Sequence, residues 1–172
     1  LSNSYQSALH IDIALTSAGV HNGTRIIVQT ASDAGGDEFW TNYLDFVGPV
    51  GTANLEAVTN NPLAQGAKTI TVASTTGYEA EGVLEIFLKD NTPANSELLM
   101  LTDFTSNTDL TVLDGTVREH ANTSVLSNIA KSYEIFLPLG IILARVLYDN
   151  TYDDDGATVF TRARVVEVGA VA

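Results

Sequence analysis

The sequence predicts an all-β, antiparallel fold, and three observations predict it. Apolar residues alternate with polar ones in short runs, the pattern of half-buried strands. Gly, Asn, Asp and Thr stand between the runs, where tight turns need them. No segment carries the 3.6-residue periodicity of an amphipathic helix beyond a single turn.

The first strand, at 8–15, sets Leu9, Ile11, Ile13 and Leu15 on one side and His10 and Asp12 on the other. The turn HNG (21–23) leads to a second at 24–30, and the loop SDAGGDE (32–38) to a third at 39–46. Gly48, Pro49 and Gly51 punctuate the chain before a fourth, at 52–59. Asn60, Asn61, Pro62, Gln65 and Gly66 mark a break, and beyond it lie short strands at 69–73, 83–88, 97–102, 110–113 and 124–126. Ser127 and Asn128 mark a second break, followed by longer strands at 132–137, 141–149 and 158–168. The last two are expected to face each other as a hairpin across NTYDDDG (150–156), a loop of turn residues. A helical turn fits at 78–81 or at 61–65.

Four strands precede the middle stretch and three follow it, and seven alternating strands suffice for a β-sandwich. The expected architecture is an antiparallel sandwich, immunoglobulin-like or jelly-roll-like, made of residues 1–60 and 128–172. A small β-rich module, 61–127, is inserted in it. A single fused β-domain is the alternative. Trp40 falls on the third strand, where immunoglobulin-like sandwiches often bury a tryptophan. The cysteine pair that accompanies it there is missing, so an ordinary core position fits equally well.

At 172 residues the chain is one domain or two small ones, and without cysteine it has neither disulfides nor thiolate metal sites. Its 21 acidic and 8 basic residues give a net charge of −13, which repels phosphate backbones and argues against nucleic-acid binding. Hydrophobic residues make up 45% and charged ones 17%, so the chain folds and is not disordered. Its most apolar run, KSYEIFLPLGIILARV (131–146), is broken by Glu134, Pro138, Gly140 and Arg145, so no membrane helix is expected. LSNSYQS at the start lacks the basic and apolar segments of a signal peptide, and Leu1 in place of Met points to trimming or an incomplete sequence.

Motifs for chemistry are sparse. Asp149, Asp153, Asp154, Asp155 and Gly156 form the densest acidic group, and Asp149, Asp153 and Asp155 are candidates for calcium. The helix–loop–helix spacing fails there, however, because Thr151 takes the first ligand position and Arg162 the place of the bidentate Glu. A solvated turn is the preferred reading, and no metal or cofactor is expected. His10, His21 and His120 lie far apart, with no partner at ligand spacing. There is no Gly-x-Ser-x-Gly elbow, and the glycine-rich Asp33–Asp37 stretch lacks the lysine of a phosphate loop, so no enzyme is expected. Asn22-Gly-Thr24 and Asn122-Thr-Ser124 fit the glycosylation tripeptide, which matters only in a secretory pathway. Arg145, Arg162 and Arg164 pair either with an acidic partner or, as the acid excess favours, with this chain's own carboxylates. Tyr78, Tyr148, Tyr152 and Phe160 form either an exposed aromatic patch or part of the core and its rim.

The middle stretch carries a resemblance. TITVASTTGY (69–78), then Gly82, Leu84 and Ile86 at the spacing G-x-L-x-I, then GTVREH (115–120), resemble a segment of tailed-bacteriophage virion structural proteins. GTRIIVQTASDAGGDEFW (23–40) and RVLYDNTYDDDGATVFTRARV (145–165) are similar to phage virion proteins as well. The resemblance implies a non-enzymatic structural protein and transfers no catalytic residue. Within that class, size and acidity favour a capsid decoration protein on the outer surface, a homo-oligomer whose partners are the major capsid protein and its own copies. The alternatives are a tail, baseplate or head–tail connector component, or a carbohydrate-binding attachment module.

Overall fold

A computed structural model of the chain describes residues 6–32, 39–78, 85–104, 106–121, 123–137, 141, 143–149 and 159–168. Among these, the strands are β1 (Gln6–Leu15), β2 (Gly19–His21), β3 (Arg25–Ala31), β4 (Thr41–Val47), β5 (Gly51–Ala53), β6 (Leu55–Ala57) and β7 (Thr69–Thr71). They continue as β8 (Glu85–Lys89), β9 (Glu97–Phe104), β10 (Asp109–Val112), β11 (Val125–Ser127), β12 (Ala130–Phe136), β13 (Leu143–Asp149) and β14 (Val159–Val168). Every pairing between them is antiparallel, and the helical content of the described residues is one 3₁₀ turn, Pro93–Asn95. The fold is all-β, as the alternation predicts.

Two three-stranded sheets, β12-β1-β14 and β13-β3-β4, face each other. Leu9, Ile11 and Ile13 of β1, Ile26 and Val28 of β3, and Ile135 and Leu137 fill the space between them, with Phe46, Tyr133, Ala144 and Val146 at its margin. The odd-numbered residues of β1 are thus consumed by the sandwich. Three of its even-numbered residues are buried too: Ala8 and Ala14 are 0% exposed and Asp12 is 3% exposed. A third layer covers that second face.

This third layer is a six-stranded sheet, β6-β11-β8-β9-β10-β7, curled until its edges meet. Val58, just after β6, bridges Val72, just after β7, and the Thr59 N–H donates to the Thr71 carbonyl at 2.8 Å. Closure removes the open edges that would invite aggregation. Inside lie Val58, Ile70, Val72, Ile86, Leu88, Leu99, Leu101, Leu110, Val112 and Leu126, joined by Leu63 and Tyr78. Full burial of each Leu or Ile contributes about 1.5–3 kcal/mol, so this small barrel has a core of its own. Phe87 points outward between Ile86 and Leu88 and packs on Phe160 of β14, ring centroids 4.4 Å apart. The Glu85 carboxylate accepts the Ser132 N–H of β12 at 3.2 Å, a second tie between barrel and sandwich.

The chain crosses between the two bodies at Asn54 and Asn128. The Asn128 side chain accepts the Asn54 N–H at 2.8 Å and donates to the Thr52 and Gly77 carbonyls at 3.3 and 3.0 Å. Gly77 has φ +87°, and a Cβ there would fall 2.0 Å from the Asn54 side-chain amide nitrogen, so the position favours glycine. Ser127 completes the crossing by donating to the Leu15 carbonyl at 2.6 Å.

Three expectations are corrected. The fourth run, 52–59, is not one strand: it breaks at Asn54 into β5, which pairs with the unforeseen β2, and β6, which joins the barrel. The middle sheet therefore reaches into residues expected in the sandwich. Strands β13 and β14 do not form a hairpin with each other. β13 pairs with β3 and β14 with β1, in opposite layers, which gives both early strands a neighbour on each edge. Trp40 is not a core tryptophan: it precedes β4, half-buried, with the Arg145 guanidinium 4.2 Å from its ring centroid on the outer face.

Candidate functional site

The turn 115–120 organises the polar chemistry of the barrel. Gly115 takes φ +75°, and a Cβ on it would stand 2.7 Å from the Gly66 carbonyl oxygen. Thr116 ties the turn to the facing loop, its hydroxyl donating to the Ala64 carbonyl at 2.7 Å and its N–H to the Ala67 carbonyl at 3.0 Å. The N–H groups of Val117 and Arg118 then both donate to the Glu97 carboxylate, at 2.7 and 2.8 Å. His120 exchanges two backbone bonds of 2.9 Å with Leu63, which turns its ring inward.

The enclosed His120 ring lies between two carboxylates. Nδ1 is 3.0 Å from Asp90 Oδ2 and Nε2 is 2.9 Å from Glu97 Oε1, an arrangement suited to a ring with an N–H on both sides. Asp90 also accepts the Thr92 N–H at 2.8 Å and the Ser124 hydroxyl at 3.3 Å, while its own N–H donates to Ser96 Oγ at 3.0 Å. Burial opposes the charge on Asp90, but the Thr92 N–H, the His120 ring and the Ser124 hydroxyl outweigh it and hold the carboxyl below its ordinary pKa. Buried charges persist only when paired and hydrogen-bonded, and here they are both. The cluster fastens the turn to β8 and β9. Both ring nitrogens are engaged and the ring is 0% exposed, so it is a structural rivet.

Beside this rivet a cleft of about 230 Å³ lies between barrel and sandwich. Strand alternation puts Phe160, Arg162 and Arg164 on one face of β14, so the contact of Phe160 with Phe87 brings both arginines to the barrel. There they meet Arg118 from the turn. Arg162 donates through Nε and Nη2 to Asp12 Oδ2 at 2.9 and 2.8 Å, and Ser132 donates to the other Asp12 oxygen at 2.8 Å. Arg118 donates to Asn95 Oδ1 at 3.0 Å. Arg164 is exposed, and its side chain has no hydrogen-bond or ion-pair partner among the described residues. Three of the chain's 8 basic residues thus converge on one cleft. A larger cavity, about 380 Å³ beside Gly23 and Val47, differs in that its Arg25 is paired with Asp45.

The other residues singled out in the sequence disperse. His10 sits 3.4 Å from the Glu134 carboxylate on the neighbouring strand, and His21 is buried with its ring 3.0 Å from the Ser17 carbonyl. Asp149 closes β13 opposite Arg25, while Asp153, Asp154, Asp155, Gly156, Tyr152 and Asn122 lie outside the described residues. Among the described residues no acidic or histidine group has the grouping of a metal site. Arg145 is separated from Arg162 and Arg164, on the outer face of the other sheet, donating to Gln29 at 2.7 Å. Tyr78 is 1% exposed, with its hydroxyl donating to the Asn54 carbonyl at 3.2 Å, so it belongs to the barrel core and to no surface patch.

Sequence reasoning missed the pairing of His120 with Asp90 and Glu97, which lie 30 and 23 residues away. It also missed that Arg118 joins the β14 arginines. The signal within reach was the lone histidine ending a glycine-led turn, next to a chain segment with two acids flanking a proline. No family model, no curated protein and no solved structure matches this chain.

Proposed function

We propose that the chain is a non-enzymatic structural protein of a tailed-phage particle, placed on the outer capsid as a decoration protein that binds the major capsid protein and its own copies. One observation carries the reading: the residues of the virion-type motif are the ones that build and lock the barrel. Ile70, Val72, Tyr78 and Ile86 fill its core, Gly77 and Gly115 take backbone conformations that favour glycine, and His120 rivets the second turn through Glu97, a residue outside the motif. The pattern that carries the resemblance is thus part of the scaffold of this fold. Three β layers suit a protein that works by surface contact, stabilising the lattice it binds by mass action.

Charge supports the outer position. At −13 the chain is repelled by packaged DNA, an energetic obstacle inside the shell that is absent outside it. Electron microscopy of the native particle tests the reading. The expected result is density for this fold on the outer shell, at a copy number near that of the capsid protein. A handful of copies at one vertex or along the tail would assign it to the connector, tail or baseplate, and absence from the particle would refute the proposal.

A further inference from the structure

The cleft formed by Arg118, Arg162 and Arg164 has no part in holding the barrel closed, and its composition is unlike the rest of the surface. The chain carries 21 acidic residues, so its copies repel one another over most of their area. Here, in contrast, three guanidinium groups from two separate bodies line a single opening. Glu97 lines this cleft and Asp12 holds one of its arginines, and both carboxylates are already occupied: Glu97 by the N–H groups of Val117 and Arg118 and by His120, Asp12 by Arg162 and Ser132. Arg162 spends two of its donors on Asp12, Arg118 spends one on Asn95, and Arg164 spends none among the described residues. With five donors on each guanidinium, the cleft keeps an unfilled array suited to bidentate capture of carboxylates.

We infer that this cleft is a docking site for carboxylate side chains of a second copy of this chain, the contact through which copies join head to tail. Charge complementarity selects the partner. A basic protein would settle anywhere on a surface of −13, whereas only an acidic one gains from this particular cleft, and the copy is itself such a protein. Because cleft and acidic surface are different patches, the contact is heterologous and every copy can give and receive. The inference rests on the reading of the chain as a self-associating surface protein and names the contact that reading leaves open.

Sedimentation of the full chain over a range of protein and salt concentrations tests it. The expected result is concentration-dependent association near physiological salt, where the general repulsion between acidic copies is screened while close guanidinium–carboxylate contacts persist. Arg164→Glu and Arg118→Glu, both at exposed positions, should each weaken association about tenfold or more. Their far-ultraviolet circular dichroism and melting temperature should match the parent, which separates a lost contact from a lost fold. Arg162 is left intact, since removing it strands Asp12. A chain that stays monomeric at high concentration across the whole salt range overturns the inference. So does association that both variants retain, or a monomer that captures a glutamate-rich peptide without self-associating, which would assign the cleft to a different acidic protein. None of these outcomes bears on whether the protein is found on the particle, which microscopy reads separately.

Discussion

His120 shows how much of this molecule rests on single side chains. Its ring stands between Asp90 and Glu97, 3.0 Å from one carboxylate and 2.9 Å from the other, in a site with almost no water contact. Replacing it by alanine leaves two buried carboxylates facing a void. His120→Ala should lower unfolding stability by about 3–5 kcal/mol in urea denaturation at neutral pH, the cost of stranding a buried charge. The acid limb of stability carries a second signature of the same cluster. Asp90 has a folded pKa below its unfolded one, so its contribution is present above the ordinary carboxylate value of about 3.9 and is lost as pH falls through the lower folded value. Asp90→Asn should flatten that part of the acid unfolding curve while lowering stability at neutral pH. A variant whose acid limb is as steep as the parent's would show that other carboxylates control it.

At the level of elements, the barrel is defined by where its edges meet. Val58, just after β6, bridges Val72, and β6 pairs with β11, so the two ends of the barrel chain lie side by side at Asn54 and Asn128. A fragment spanning 54–128 therefore contains a closed sheet and a complete core. It should fold alone and unfold cooperatively in urea, whereas the fragment 61–127 lacks β6 and opens the barrel along β11 and β7. Equal cooperativity of the two fragments would show that the β6 contacts are dispensable. The sequence break at 60–66 suggested the shorter fragment. It does fall at the end of a run, but that run contributes its second half to the barrel, a fact of pairing that no local turn signal reports.

For the whole molecule, the question is what makes three layers one body. Phe87 and Phe160 meet at the centre of the junction, flanked by the bond from Ser132 to Glu85 and the crossing at Asn128. Phe160 is half-buried, so Phe160→Ala should cost about 2 kcal/mol, roughly half the cost at a fully enclosed site. Calorimetry should then resolve two transitions, barrel and sandwich, where the parent shows one. A single shifted transition would mean that the crossing strands couple the bodies without the aromatic contact. The same junction forms the arginine cleft, so its geometry depends on both bodies being docked.

Composition and alternation alone determined that this chain is all-β, where most of its strands lie, and that its charge is strongly acidic. These are legible because a strand's two-residue period and a turn's need for Gly, Asn or Asp are written in neighbouring residues. The tertiary structure decided which strands pair: that 52–59 divides between two sheets, that β13 and β14 part to opposite layers, and that Trp40 stays outside. It also decided the chemistry of the sites, bringing His120 to Asp90 and Glu97, and Arg118 to Arg162 and Arg164. The physical reason is the same in each case. Pairing and ion clustering are set by the burial and hydrogen bonding of groups distant in sequence, and alternation fixes only which face a residue takes, not what that face will meet.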